Sequence, residues 1–115
     1  MKKLKKVCGD NRPVSVYRDE TGCYLFRWDI VEVENKESGK IVYEYYEVAV
    51  YGEWIRENVM MAVINAMWSK DDEAKIINDY TAAKEGILDE SYIEKFRLFA
   101  TERAALKEMV NESFK

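Results

Sequence analysis

The side chains that could do chemistry in this chain are scattered carboxylates, two thiols and a set of tyrosines and tryptophans; histidine is absent. Without imidazole, Ser-His-Asp and Cys-His nucleophile systems and His-ligated metal centres are excluded. Cys8 and Cys23 stand fifteen residues apart, a spacing that fits no zinc pattern, and no further cysteine or histidine could complete one. Lys5 and Lys6 beside Cys8 could lower its thiol pKa, but a terminal segment supplies no oxyanion hole. The fifteen glutamates are spread along the chain with no spacing that marks an acid and a base. No Gly-rich phosphate loop and no H-E-x-x-H motif occurs. The residues therefore argue for no cofactor, no metal and a non-catalytic role.

Charge bears on partners. Residues 1–12 hold Lys2, Lys3, Lys5, Lys6 and Arg12 against Asp10, a net +4, which leaves −8 for the remainder of a chain whose total is −4. A basic, flexible tail over 1–12 is expected. The acidic body repels phosphate, which argues against nucleic acid as a partner. An RNA-reading sheet would also set its aromatics among Arg and Lys, not among glutamates. The longest apolar stretch, Val59 to Ile64, is six residues, against the roughly 20 that span a membrane. The Lys-rich start is followed by no apolar run of the kind a signal peptide needs. A cytoplasmic protein with two free thiols is expected. With 115 residues, 48% of them hydrophobic, positions 13–115 read as a single domain.

The elements that must position these side chains start with a sheet over 13–51. Asp19-Glu20-Thr21-Gly22 and Lys36-Glu37-Ser38-Gly39 each predict a three-residue hairpin loop closed by a glycine in the left-handed region. The first turn sets Asp19 opposite Cys23, and so Tyr17 with Leu25, Val16 with Phe26 and Val14 with Trp28. The second sets Lys36 opposite Lys40, and so Ile30 with Tyr46, Trp28 with Val48 and Phe26 with Val50. Together they predict a three-stranded antiparallel meander. One face carries Val14, Val16, Phe26, Trp28, Val48 and Val50 and should be buried against the first helix. The other carries Tyr17, Leu25 and Tyr51 at one end and Val31–Tyr45 and Val33–Tyr43 at the other, with Arg27, Asp29 and Glu47 between. Apolar patches around an ionic strip suit a protein partner, unless the tail or a helix covers them. The same register opposes Glu32 to Glu44, which is unfavourable. A Ca²⁺ site there would need six to eight oxygens; a solvated hairpin tip or a bulge near Ile30 and Val31 relieves the pair more simply.

After Gly52 the apolar period changes to that of helices, expected over 53–68, 70–85 and 90–114. The first is apolar on most of its circumference, which makes it central or covered by another subunit. Ser69 with Asp72 reads as a capping box, Gly86 as a C-terminal glycine and Asp89 as an N-cap. The last helix would run about 37 Å, long for a body whose radius of gyration is about 13 Å. Its apolar positions Tyr92, Phe96, Phe99, Leu106 and Val110, with Arg103 interrupting, follow a heptad rhythm. The seam either docks on the first two helices or pairs with a second copy, where Arg103 would seek a carboxylate such as Glu102 or Glu108.

Strands leading into Tyr43-Glu-Tyr-Tyr-Glu-Val-Ala-Val50, then helices through Asp79-Tyr80 and a charged terminal helix, give a chain that resembles small uncharacterised proteins of bacterial prophages and their tail-gene neighbourhoods. The expectation is an α+β interaction or assembly module. Its candidate contacts are Tyr17, Leu25, Arg27, Tyr43, Tyr45, Tyr51, Leu106, Val110 and Phe114. Its partners are a second copy, in a homodimer or higher oligomer, or another protein. The alternative is a small-molecule-binding or enzymatic domain with a pocket under Trp54, Trp68 and the Tyr-rich sheet edge.

Overall fold

The computed structural model describes residues 4–115; Lys2 and Lys3 of the expected tail lie outside them. In chain order the elements are β1 (Val7–Gly9), β2 (Val16–Arg18), β3 (Tyr24–Glu34), β4 (Ile41–Val50), α1 (Arg56–Met67), α2 (Lys70–Lys84) and α3 (Ser91–Ser113). The fold class is α+β, with one antiparallel sheet in the order β1-β4-β3-β2. The described residues fall into two compact units, 4–62 and 63–115.

In the first unit, the Asp19 turn behaves as its residues dictate. Asp19 N–H donates to Cys23 O at 2.8 Å and Gly22 N–H to Asp19 O at 3.1 Å. Gly22 takes φ +85°, a conformation that a Cβ would strain. The predicted pairs Val16–Phe26 and Tyr17–Leu25 follow. The second turn is displaced. Asn35 Oδ1 accepts from Glu37 N at 3.0 Å, and Asn35 N–H donates to Lys40 O at 2.8 Å. Asn35 thus replaces Lys36 as the residue opposite Lys40, because its side chain closes an Asx turn one residue earlier. Near the tip the pairs are therefore Val31–Glu44, Glu32–Tyr43, Val33–Val42 and Glu34–Ile41.

A β-bulge between Trp28 and Val31 adds a second one-residue step, giving Trp28–Tyr46, Phe26–Val48 and Tyr24–Val50. Asp29, within the bulge, sits at φ +56°. The two steps cancel in parity, so Phe26, Trp28, Val48 and Val50 keep their common face. Val31 and Val33 do not: they join that face and leave Tyr43 and Tyr45, contrary to the simple register. The Glu32–Glu44 opposition disappears with it.

The three-stranded expectation also needs correction. A fourth strand, β1, comes from within the stretch read as a flexible tail and pairs Val7 with Tyr45, Cys8 with Glu44 and Gly9 with Tyr43. It pairs the backbone of an edge that β4 would otherwise leave open. Lys6 fastens it, 3.3 Å from Asp29 and 5.3 Å from the centroid of the Tyr46 ring. Phe26, Trp28, Val50 and Val59 are buried, with the Trp54 ring 5.2 Å from that of Tyr24 and 5.9 Å from that of Phe26. Val48 is half-buried. Val14 and Val16, expected in this core, are exposed, Val14 by 58%. β2 is a three-residue edge strand that begins only at Val16, so Val14 precedes the ladder.

The second unit is helical. Ser69 caps α2: its hydroxyl accepts from Asp72 N at 3.0 Å and its own N–H donates to Asp72 Oδ2 at 3.2 Å. At the other end Ile87 N–H reaches Ala82 O and Gly86 N–H reaches Ala83 O, the paired bonds of a Schellman motif, with Gly86 at φ +78°. Asp89 Oδ2 accepts from Ser91 N–H at the start of α3. Ile64, Trp68, Ile76 and Phe99 form a buried cluster, joined by Met67, Phe96 and Leu106. Facing contacts make α2 and α3 antiparallel: Tyr80 stacks on Phe96 at 4.1 Å, and Arg103 Nε donates to Glu73 Oε2 at 3.0 Å. The seam Arg103 thus finds its carboxylate on α2, not at Glu102 or Glu108.

Candidate interaction surfaces

Arg27 is the centre of the sheet face opposite Phe26. Its Nε lies 2.8 Å from Glu47 Oε2 in an ion pair that is mostly shielded from water. Its guanidinium sits 5.5 Å from the Tyr17 ring centroid and 5.9 Å from that of Tyr45. One face therefore holds a cation between two aromatic rings, an arrangement in which attraction to the ring faces adds to the ion pair.

This face is not wholly open. β1 and β2 lie on opposite edges of the sheet, so residues 10–15 must cross it. Two contacts show on which side. Arg27 Nη1 donates to Val14 O, and the Arg12 guanidinium stands 5.9 Å from the Tyr43 ring centroid; Arg27 and Tyr43 both point to this face. The crossing covers its middle, and Tyr45 is only 8% exposed. Of the two readings the sequence left open, cover by the N-terminal segment holds for Tyr43, Tyr45 and Arg27. Tyr17, 47% exposed, and Tyr51, 79% exposed, stay in solvent, with Leu25 half-buried.

The other candidates divide similarly. Val110 is fully buried and Leu106 packs on the helical cluster, so both belong to the interior of this chain. Phe114 is half-buried and forms the C-cap of α3. Cys8 is exposed and Cys23 half-buried, both as free thiols; the Cys23 Sγ–H points to Tyr24 O and Val50 O. Trp54 packs its ring against the sheet, while Trp68 lines a groove in the helical unit.

That groove was not legible in the sequence, because it depends on the pairing of α2 with α3. It encloses about 320 Å³. Trp68, Ile76 and Phe99 form its floor, and Asp72, Lys75, Asp79, Lys95 and Glu102 stand along its rim. Lys75 Nζ is 2.7 Å from Asp79 Oδ2, and the Lys95 ammonium is 4.5 Å from the Tyr92 ring centroid.

The perturbed titratable groups all serve local structure. Hydrogen bonds from the Thr21 side chain, then from the Cys23 and Thr21 amides, hold Asp19 below the usual carboxylate range. The Ser91 side chain, then its amide, does the same for Asp89. Glu57 is lowered by its own backbone N–H and by Arg56. Lys75 is raised by its bond to Asp79. Among the described residues no cluster of three or more His, Cys, Asp or Glu is placed to hold a metal ion, and no helix is long and apolar enough to cross a membrane. No family model, no curated protein and no solved structure matches this chain.

Proposed function

We propose that the protein is a non-catalytic interaction module that docks onto another protein chain, or onto its own copy, within an assembly. The observation that carries this reading is the β2 edge of the sheet, where Val14 and Val16 on the Phe26 side and Tyr17 on the opposite side are all exposed. Single exposed apolar residues need no explanation, but a group of them on a sheet edge marks a surface suited to a partner. The perturbed groups support the reading from the other side. Asp19, Asp89 and Glu57 each stabilise a turn or a helix terminus, and only Lys75, paired with Asp79 on the rim of the Trp68 groove, stands at a cleft of the kind where catalytic acids and bases are perturbed. The likeness to prophage proteins suggests a phage-derived accessory component as its setting.

The test is a Val14→Lys, Tyr17→Lys double variant, whose altered side chains are exposed and should leave the fold intact. Wild-type protein should scatter light above the 13.6 kDa monomer mass, or cross-link to one protein from its host. The variant should do neither. A wild-type monomer at all micromolar concentrations that also cross-links to nothing would end the proposal. A second reading, small-molecule binding, draws on the Trp68 groove, whose volume falls at the low end of ligand sites. Quenching of Trp68 fluorescence by a bound aromatic compound, lost on Phe99→Leu, would favour it.

A further inference from the structure

We infer that the outer edge of β3 at residues 31–34 is a strand-addition site for an extended basic segment of another protein. This rests on the interaction reading above and names a partner class for it. The direction of the backbone groups follows from one bond. Asn35 N–H donates to Lys40 O, so the 35/40 pair is a hydrogen-bonded one. Bonded and non-bonded pairs alternate along an antiparallel ladder. Val33–Val42 and Val31–Glu44 then bond inward, and Glu32 and Glu34 turn their N–H and C=O groups away from β4. Among the described residues no strand lies on that side: β2 is the edge strand, its pairing covers Tyr24–Phe26, and backbone bonding beside it ends where Arg27 N–H donates to Ser15 O. Glu32 and Glu34 are exposed, and neither carboxylate has an ion-pair partner among the described residues.

Side chains opposite each other in a ladder share a face. An incoming antiparallel strand therefore places two residues, spaced i and i+2, directly against Glu32 and Glu34. Lysine or arginine at both positions neutralises the pair, while backbone bonds to the outward groups supply affinity without regard to sequence. A second copy fits poorly. Antiparallel pairing of two such edges must use the outward groups of Glu32 and Glu34 on both chains, which sets glutamate against glutamate whichever of them face each other. The site ends at the bulge around Asp29, where the strand bends and regular pairing stops. On the far side of the sheet the chain already shows this chemistry: the segment that adds to β4 carries Lys6, and Lys6 reaches Asp29.

The test uses the full chain, isotope-labelled, at low salt, with two capped hexapeptides: one alternating lysine with valine, the other glutamate with valine. The lysine peptide should slow amide exchange at Glu32 and Glu34 by about tenfold or more, and added salt should weaken the effect. A Glu32→Gln, Glu34→Gln double variant alters only exposed side chains and should lose most of the response. No slowing with the lysine peptide, equal slowing with both peptides, or a response mapped to other residues would overturn the edge site. A partner captured through Val14 and Tyr17 alone would overturn it too, while leaving the interaction reading in place.

Discussion

At Asp19 one carboxylate accepts from Thr21 N at 2.9 Å, Thr21 Oγ1 at 2.6 Å and Cys23 N at 3.0 Å. These bonds favour the charged form, so the folded pKa lies below the unfolded one. The stabilisation is fully present above the unfolded pKa, hence at neutral pH. It is lost as pH falls through the lowered folded value. Carbon-detected NMR titration should find Asp19 titrating below an ordinary aspartate, and Thr21→Val should move it back up. Among core residues, Phe26 and Val14 make a contrasting pair. Phe26→Ala should cost about 3–5 kcal/mol in denaturant unfolding of this hairpin, whereas Val14→Ala should stay within about 0.5 kcal/mol. The sequence placed both in one core. It read the alternation correctly at Phe26, but alternation does not reveal how far an edge strand extends, and Val14 lies before the ladder starts.

Helix termini were the most legible elements, because their signals are local. Ser69 and Asp72 three residues later specify a capping box without reference to the rest of the chain, and Gly86 specifies a left-handed stop. Each can be tested alone. Ser69→Ala should destabilise the helical unit by about 1 kcal/mol. Gly86→Ala should cost about 1–2 kcal/mol, since alanine resists positive φ. Both are read by circular dichroism melts. The hairpin over 24–50 was harder. Its first turn is fixed by Gly22 and its own residues, but the second depends on Asn35 capturing the Glu37 amide, and the bulge at Asp29 on competition between packing and pairing. Each displaced the register by one residue. The face of Phe26 survived only because two displacements restore parity, and Val31 and Val33, which lie between them, changed sides.

On the scale of the whole molecule, the candidate surfaces depend on contacts between residues far apart in sequence, and that is why composition alone could not rank them. Val110 and Leu106 looked like leftover seam, yet they are interior once α3 is opposed by α2. Tyr45 and Arg27 looked like an open patch, yet residues 10–15 run across them. The crossing segment has a further consequence in time. Val7 must wait for Tyr45, 38 residues later by their numbers, before it has a partner. At synthesis rates of about 5–20 residues per second, that is a delay of roughly 2–8 s. The hairpin of β3 and β4 can close meanwhile, with its Arg27 face uncovered. The strap is then the last piece of the sheet to lock and the first to loosen. Pulsed labelling of the exposed Cys8 thiol on stalled nascent chains should show it reactive until well after β4 has emerged, and its neighbourhood should be where a protease first finds the finished protein.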